Sequence, residues 1–143
     1  MAAFHSIIYG RFWVITEGMY ADLSEIGGTM RNSVILHFPQ IQSSEPDLSR
    51  EERVLTAAAR VWEPDWAGIM SQAAQDEREY SVTKPFVDWM VFVRQQVSSL
   101  SLPTFSRSLQ NLGTIIVVQP EPPSSKDPEA IRRIKDVEAA IGV

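Results

Sequence analysis

His5 and His37 are the two imidazoles of the chain, and imidazole is the side chain best suited to acid–base work or metal binding near neutral pH. Neither has a second His or a Glu three or four residues away, the spacing that sets two ligands on one helical face. A general base would also need an orienting partner that the sequence does not indicate, so both histidines are read as structural. A Ser-His-Asp set built on His37 can be assembled from scattered residues, yet no Gly-x-Ser-x-Gly elbow is present. Gly27-Gly28 lacks the lysine and the spacing of a phosphate loop. Glu51-Glu52 and Asp76-Glu77 are adjacent pairs, and adjacent helical residues point in different directions, so neither pair makes an acid–base couple. Cysteine is absent, which removes thiolate metal sites and disulfides and is compatible with a reducing compartment. No catalytic residue, cofactor or metal is assigned.

Asp88 is a carboxylate inside the run Phe86-Val-Asp-Trp-Met-Val-Phe-Val93. If buried it must find a hydrogen bond or a cation, for which Arg11 or Arg107 on another strand is a candidate, and a structural ion pair is the expected use. The remaining acidic residues cluster. Glu45, Asp47, Glu51 and Glu52 form one group; Glu63, Asp65, Asp76, Glu77 and Glu79 flank Trp66 in a segment that closes at Tyr80. Glu63, Asp65, Asp76, Glu77, Glu79 and Tyr80 are the candidate partner-binding residues, because surface carboxylates attract a basic partner and speed encounter. The competing reading is a solvated acidic face. Trp13, Trp66 and Trp89 are read as core, whereas Trp62, beside the Glu63-Pro-Asp65 turn, is left between core and contact.

These side chains need a scaffold. Ser6 to Val14 is apolar on both parities and reads as a buried strand, with Gly10 at a bulge or close approach. Leu23, Ile26, Met30, Val34 and Phe38 recur at helical spacing from Tyr20 to Phe38, although Gly27-Gly28 weakens that helix. Ser49-Arg-Glu-Glu52 forms a capping box, Val54, Leu55, Ala58, Val61 and Trp62 form the buried stripe of the helix it opens, and Pro64 stops that helix near Trp62. Trp66 to Ser71 is a short strand. Phe86 to Arg94 is apolar on both parities except at Asp88 and belongs near the centre of a sheet. Phe105 to Gln110 and Thr114 to Gln119 make a hairpin around Asn111-Leu-Gly113. Asp127 as N-cap, Pro128 at the first position and Gly142 at the end bound the last helix, whose Ala130, Ile131, Ile134, Val137 and Ile141 face inward. The expected fold is α+β: a single domain over residues 1–143, with a largely antiparallel β-sheet of about five strands and three helices packed on it.

Thirteen basic against eighteen acidic residues give a net charge of −5, which disfavours direct binding to nucleic acid and favours a basic protein partner. No stretch approaches the roughly 18 apolar residues of a membrane span, and the N-terminus lacks the basic region of a signal peptide, so a cytoplasmic location is expected.

The tryptophans fall in three segments, Tyr9-Gly-Arg-Phe-Trp13, Trp62-Glu-Pro-Asp-Trp66-Ala-Gly-Ile-Met-Ser71 and Pro85-Phe-Val-Asp-Trp89-Met-Val-Phe-Val-Arg94. In their order these resemble the immunity protein 52 family of bacterial polymorphic toxin systems, with its Y-G-x-F/Y-W start, P-x-W strand and later tryptophan-bearing apolar strand. The resemblance implies a non-enzymatic, cytoplasmic antidote that binds a cognate toxin delivered between bacteria, as in type VI secretion. It also implies a toxin that is a nuclease of restriction-endonuclease fold, blocked at its cleft. Two other readings stand beside it: a small acidic adaptor or regulatory binding domain, and a small hydrolase using His37.

Overall fold

The computed structural model describes residues 4–10, 32–37, 47–80, 84–98 and 100–143. Among them, six strands form one sheet: β1 (Phe4–Gly10), β2 (Asn32–His37), β3 (Trp66–Ser71), β4 (Met90–Val93), β5 (Phe105–Leu109) and β6 (Gly113–Val117). The order is β2-β1-β3-β4-β6-β5, and every neighbouring pair is antiparallel. Three helices accompany it, α1 (Leu48–Trp62), α2 (Gln72–Glu77) and α3 (Pro128–Ile141). The α+β class and the antiparallel sheet match expectation.

The strand beyond the expected five is β2. Its residues fall in the C-terminal part of the helix expected over Tyr20 to Phe38, and the remainder of that helix lies outside the described residues. Asn32–His37 instead pairs along its length with β1. Val34-Ile35-Leu36 is a continuous run rich in β-branching, and pairing with a distant strand outweighs the four-residue spacing of Met30, Val34 and Phe38. In the same ladder Gly10 sits opposite Asn32 in register rather than in a bulge, and residues 11–14 of the expected first strand lie outside the description.

Strand alternation divides the core. Trp66, Met70, Val91, Val93, Ile116 and Val118 face α2 and α3, where they meet Ala74, Ile134, Val137 and Ile141. Ala67, Ile69, Met90, Phe92, Ile115 and Val117 face α1 and pack on Leu55, Ala58 and Ala59. The sheet is thus covered on both sides, which is why β3, β4 and β6 are buried at every position. β4 holds the central place expected of it. It is shorter than its apolar run: Phe86 to Trp89 are buried ahead of the strand, and Trp89 is tied by its backbone to Ile69 and Val118 and by its Nε1, which donates to the Gln119 carbonyl at 3.1 Å.

α1 is capped two residues before the Ser49 of the expected capping box. Asp47 is the N-cap, its carboxylate accepting from the Arg50 amide at 3.1 Å. Ser49 and Glu52 therefore lie within the helix, and Glu52 is free to reach β5. Its buried stripe is Leu55, Ala58 and Ala59, with Trp62 packed at the margin and Val61 72% exposed, contrary to the expected inward Val61. The helix ends at Trp62 as Pro64 requires, with Glu63 in the left-handed region. α3 begins and ends where the sequence places it, capped by Asp127 and Gly142.

The β5–β6 hairpin turns through Asn111, which has a positive φ of 62°. Gly113 opens β6 against the backbone of β4, where a Cβ would stand 2.1 Å from the Val93 carbonyl oxygen. Only glycine permits that approach.

Candidate functional site

The charged centre of the molecule is Asp88, 3% exposed. Its carboxylate accepts from the Ser71 amide at 2.9 Å and from Arg78 Nη2 at 3.4 Å. The expected partners Arg11 and Arg107 do not serve: Arg107 Nε stands 2.7 Å from Glu52 Oε1 across α1 and β5, and Arg11 lies outside the described residues. The true partner, ten residues upstream, is brought in by α2. Ser71 ends β3 and caps α2 through its hydroxyl, which accepts from the Ala74 amide, so one residue joins strand, helix and buried carboxylate.

Arg78 closes α2 and spends its guanidinium four ways. It donates to the Val87 carbonyl at 2.6 Å, meets Asp88, stacks 4.4 Å over the Phe86 ring and reaches Glu138 of α3 at 3.8 Å. Burial pushes the Asp88 carboxyl above its ordinary value; the Ser71 amide, the Arg78 charge and the Ser71 hydroxyl oppose that shift without cancelling it. A cavity of about 270 Å³ adjoins the pair, lined by Ser71, Ala74, Glu77, Pro122 and Ile134 among others. The arrangement clamps α2 to the sheet and to α3.

That clamp displays carboxylates. Asp76 and Glu77 are exposed on α2, and Glu79 is exposed just beyond it. Glu138 joins them from α3, a residue that sequence reasoning missed because only the fold makes it a neighbour of Arg78. Tyr80 is half-buried: its ring meets Phe86 edge-on at 5.5 Å, and its hydroxyl is enclosed with no hydrogen-bond partner among the described residues. Burial raises the Tyr80 pKa to about 12.

Glu63 and Asp65 belong elsewhere. They precede β3, whereas α2 follows it, so the six residues Trp66–Ser71 hold the two acidic groups about 20 Å apart. Arg94 occupies their end. It donates through Nε to the Pro64 carbonyl at 3.1 Å and through Nη2 to the Glu63 carbonyl, with Asp65 at 3.6 Å. The acidic residues that flank Trp66 thus lie at opposite ends of β3, with Asp65 held against an arginine.

The β1–β2 register sets His5 opposite His37. No group of three or more His, Cys, Asp or Glu residues able to hold a metal occurs among the described residues, and no helix there is long and apolar enough to cross a membrane.

The model of a protein family, Immunity protein 52, matches residues 46–142. The matched span includes the Trp62–Ser71 and Pro85–Arg94 segments, while Tyr9–Trp13 precedes it. Comparison with curated proteins gives no match.

Proposed function

The chain belongs to the immunity protein 52 family, and on that premise we propose that it binds and neutralises a cognate secreted nuclease by covering its catalytic cleft. Belonging to that family makes the chain an immunity protein; the nuclease target and the occlusion are our reading. The observation that carries this reading is the display of Asp76 and Glu77 on α2, and of Glu79 just beyond it, next to the Arg78–Asp88 clamp that fixes the helix. A cleft that attracts phosphates also attracts carboxylates, and carboxylates on a fixed frame lose little freedom on docking. An interface of roughly 1,200 to 2,000 Å² would suffice to cover such a cleft. Glu63 and Asp65 take a lesser part because Arg94 pairs with the Asp65 carboxylate beside them, and Tyr80 serves the surface by packing beneath it.

The test is stopped-flow association with the cognate toxin. Neutralising Asp76, Glu77 and Glu79 together slows association and flattens its salt dependence, with the melting temperature unchanged, whereas neutralising Glu63 and Asp65 has a smaller effect. Unaltered association of the triple variant at both low and high salt overturns the assignment.

A further inference from the structure

Among the described residues, β5 is an edge strand. The sheet order ends with it, and its five residues pair with β6 in unbroken register from Phe105↔Val117 to Leu109↔Gly113. A regular edge presents unpaired backbone amides and carbonyls to any extended chain that reaches it. One face of β5 is already engaged, since Ser106 donates to the Val97 carbonyl and Ser108 to Gln96 Oε1. The other face opens onto α1 across a cleft of about 740 Å³.

The cleft is basic in an acidic protein. Arg53 and Arg60 line it from α1 and Arg107 from β5, where Arg107 pairs with the lining carboxylate Glu52 at 2.7 Å and leaves the two helical arginines as the excess charge. Between the two helical arginines lie Thr56 and Ala57, and the Thr56 hydroxyl is turned back to the Glu52 carbonyl. Small residues at the centre leave room for a backbone, and exposed guanidinium groups stand on either side. Arg53 and Arg60 are two helical turns apart, about 10 Å along the axis, within reach of alternate side chains spaced about 7 Å on an extended strand.

We propose that this cleft takes an extended acidic segment of a partner protein, which adds to β5 as a further strand and directs alternate carboxylates at Arg53 and Arg60. Backbone pairing supplies affinity and the arginines select the sequence, as in other cases of strand addition. The cleft lies across the sheet from α2, so this inference goes beyond the toxin surface proposed above and stands if that surface fails.

The probe is a blocked decapeptide alternating Glu and Val, titrated into the ¹⁵N-labelled chain. Three comparators are a Lys-for-Glu peptide, a peptide of equal charge with Pro for Val, and oligothymidylate of equal length. Amide shifts confined to β5 and the adjoining face of α1 are expected, with binding weakened about tenfold or more by Arg53→Glu together with Arg60→Glu and preserved in the Asp76, Glu77 and Glu79 variant. Equal binding of the Lys or the Pro peptide overturns the inference, as do shifts that avoid β5 and an absence of binding. Tighter binding of the oligonucleotide overturns it in favour of a nucleic-acid ligand. The shift map requires no variant, so a misfolded Arg53→Glu/Arg60→Glu chain leaves the test intact.

Discussion

Arg78 stands 3.4 Å from Asp88 while donating to the neighbouring Val87 carbonyl at 2.6 Å, so one guanidinium binds both the backbone before β4 and the carboxylate buried beside it. Breaking a buried pair by removing one partner costs more than the pair contributes, because the other group is left desolvated. Loss of Arg78 is therefore expected to be worse than loss of the Asp88 charge.

Asp88→Asn keeps the shape and removes the titration. Because burial raises the folded-state pKa of Asp88, the native chain binds its proton more readily than the unfolded chain does. The native protein therefore gains stability relative to Asp88→Asn as pH falls through the raised value toward the ordinary carboxylate range, and loses it as pH rises. Melting temperatures of both proteins across acidic and neutral pH measure this. A difference that is constant with pH refutes it.

Tyr80→Phe removes an enclosed hydroxyl that has no partner among the described residues. The change is expected to be neutral or slightly stabilising at pH 7, since an unsatisfied buried group contributes only its desolvation cost. With the folded-state pKa raised to about 12, the native chain loses stability as pH climbs above the ordinary tyrosine value, and the Phe variant loses less. Denaturation at neutral and alkaline pH reads both effects.

Trp66→Ala and Trp89→Ala each empty a fully enclosed site, on opposite faces of the sheet. Each should cost about 3 to 5 kcal/mol, a large share of a typical domain's stability of 5 to 15 kcal/mol. Trp89→Ala also leaves the Gln119 carbonyl without its indole donor. Loss of binding should follow the fraction unfolded. Retained melting temperature with lost binding would identify a contact residue.

Asp47→Ala removes the cap of α1 and should cost about 1 kcal/mol, whereas Ser49→Ala, one residue inside the helix, should stay within about 0.5 kcal/mol. Urea denaturation of the two variants separates the observed cap from the capping box that the sequence suggested.

What the sequence displayed was mostly local. Asp127, Pro128 and Gly142 mark α3 because caps act within a turn, and Asn111 to Gly113 mark the hairpin for the same reason. What it hid was set by partners far along the chain. β2 takes its strand form from β1, and the cation for Asp88 depends on the direction in which α2 leaves β3. The acidic residues and the strand that they flank were legible; the arginine held against Asp65 was not, because Arg94 reaches it only when β4 pairs with β3. The basic cleft escaped notice because Arg53 and Arg107 meet only when α1 lies over the sheet.

Gly113 limits redesign of this molecule. In this turn Gln110 and Asn111 are exposed while Leu112 packs against the core, so the Gln110–Asn111 bond is a natural place to graft a loop or an epitope tag. Any graft must rejoin the chain at a glycine, since the Val93 carbonyl occupies the space of the first side-chain carbon. An insertion that shifts the register by one residue would bring Leu112, or the inserted residue itself, to that point and drive the hairpin off β4, so tolerance to insertion should end abruptly at the Leu112–Gly113 junction.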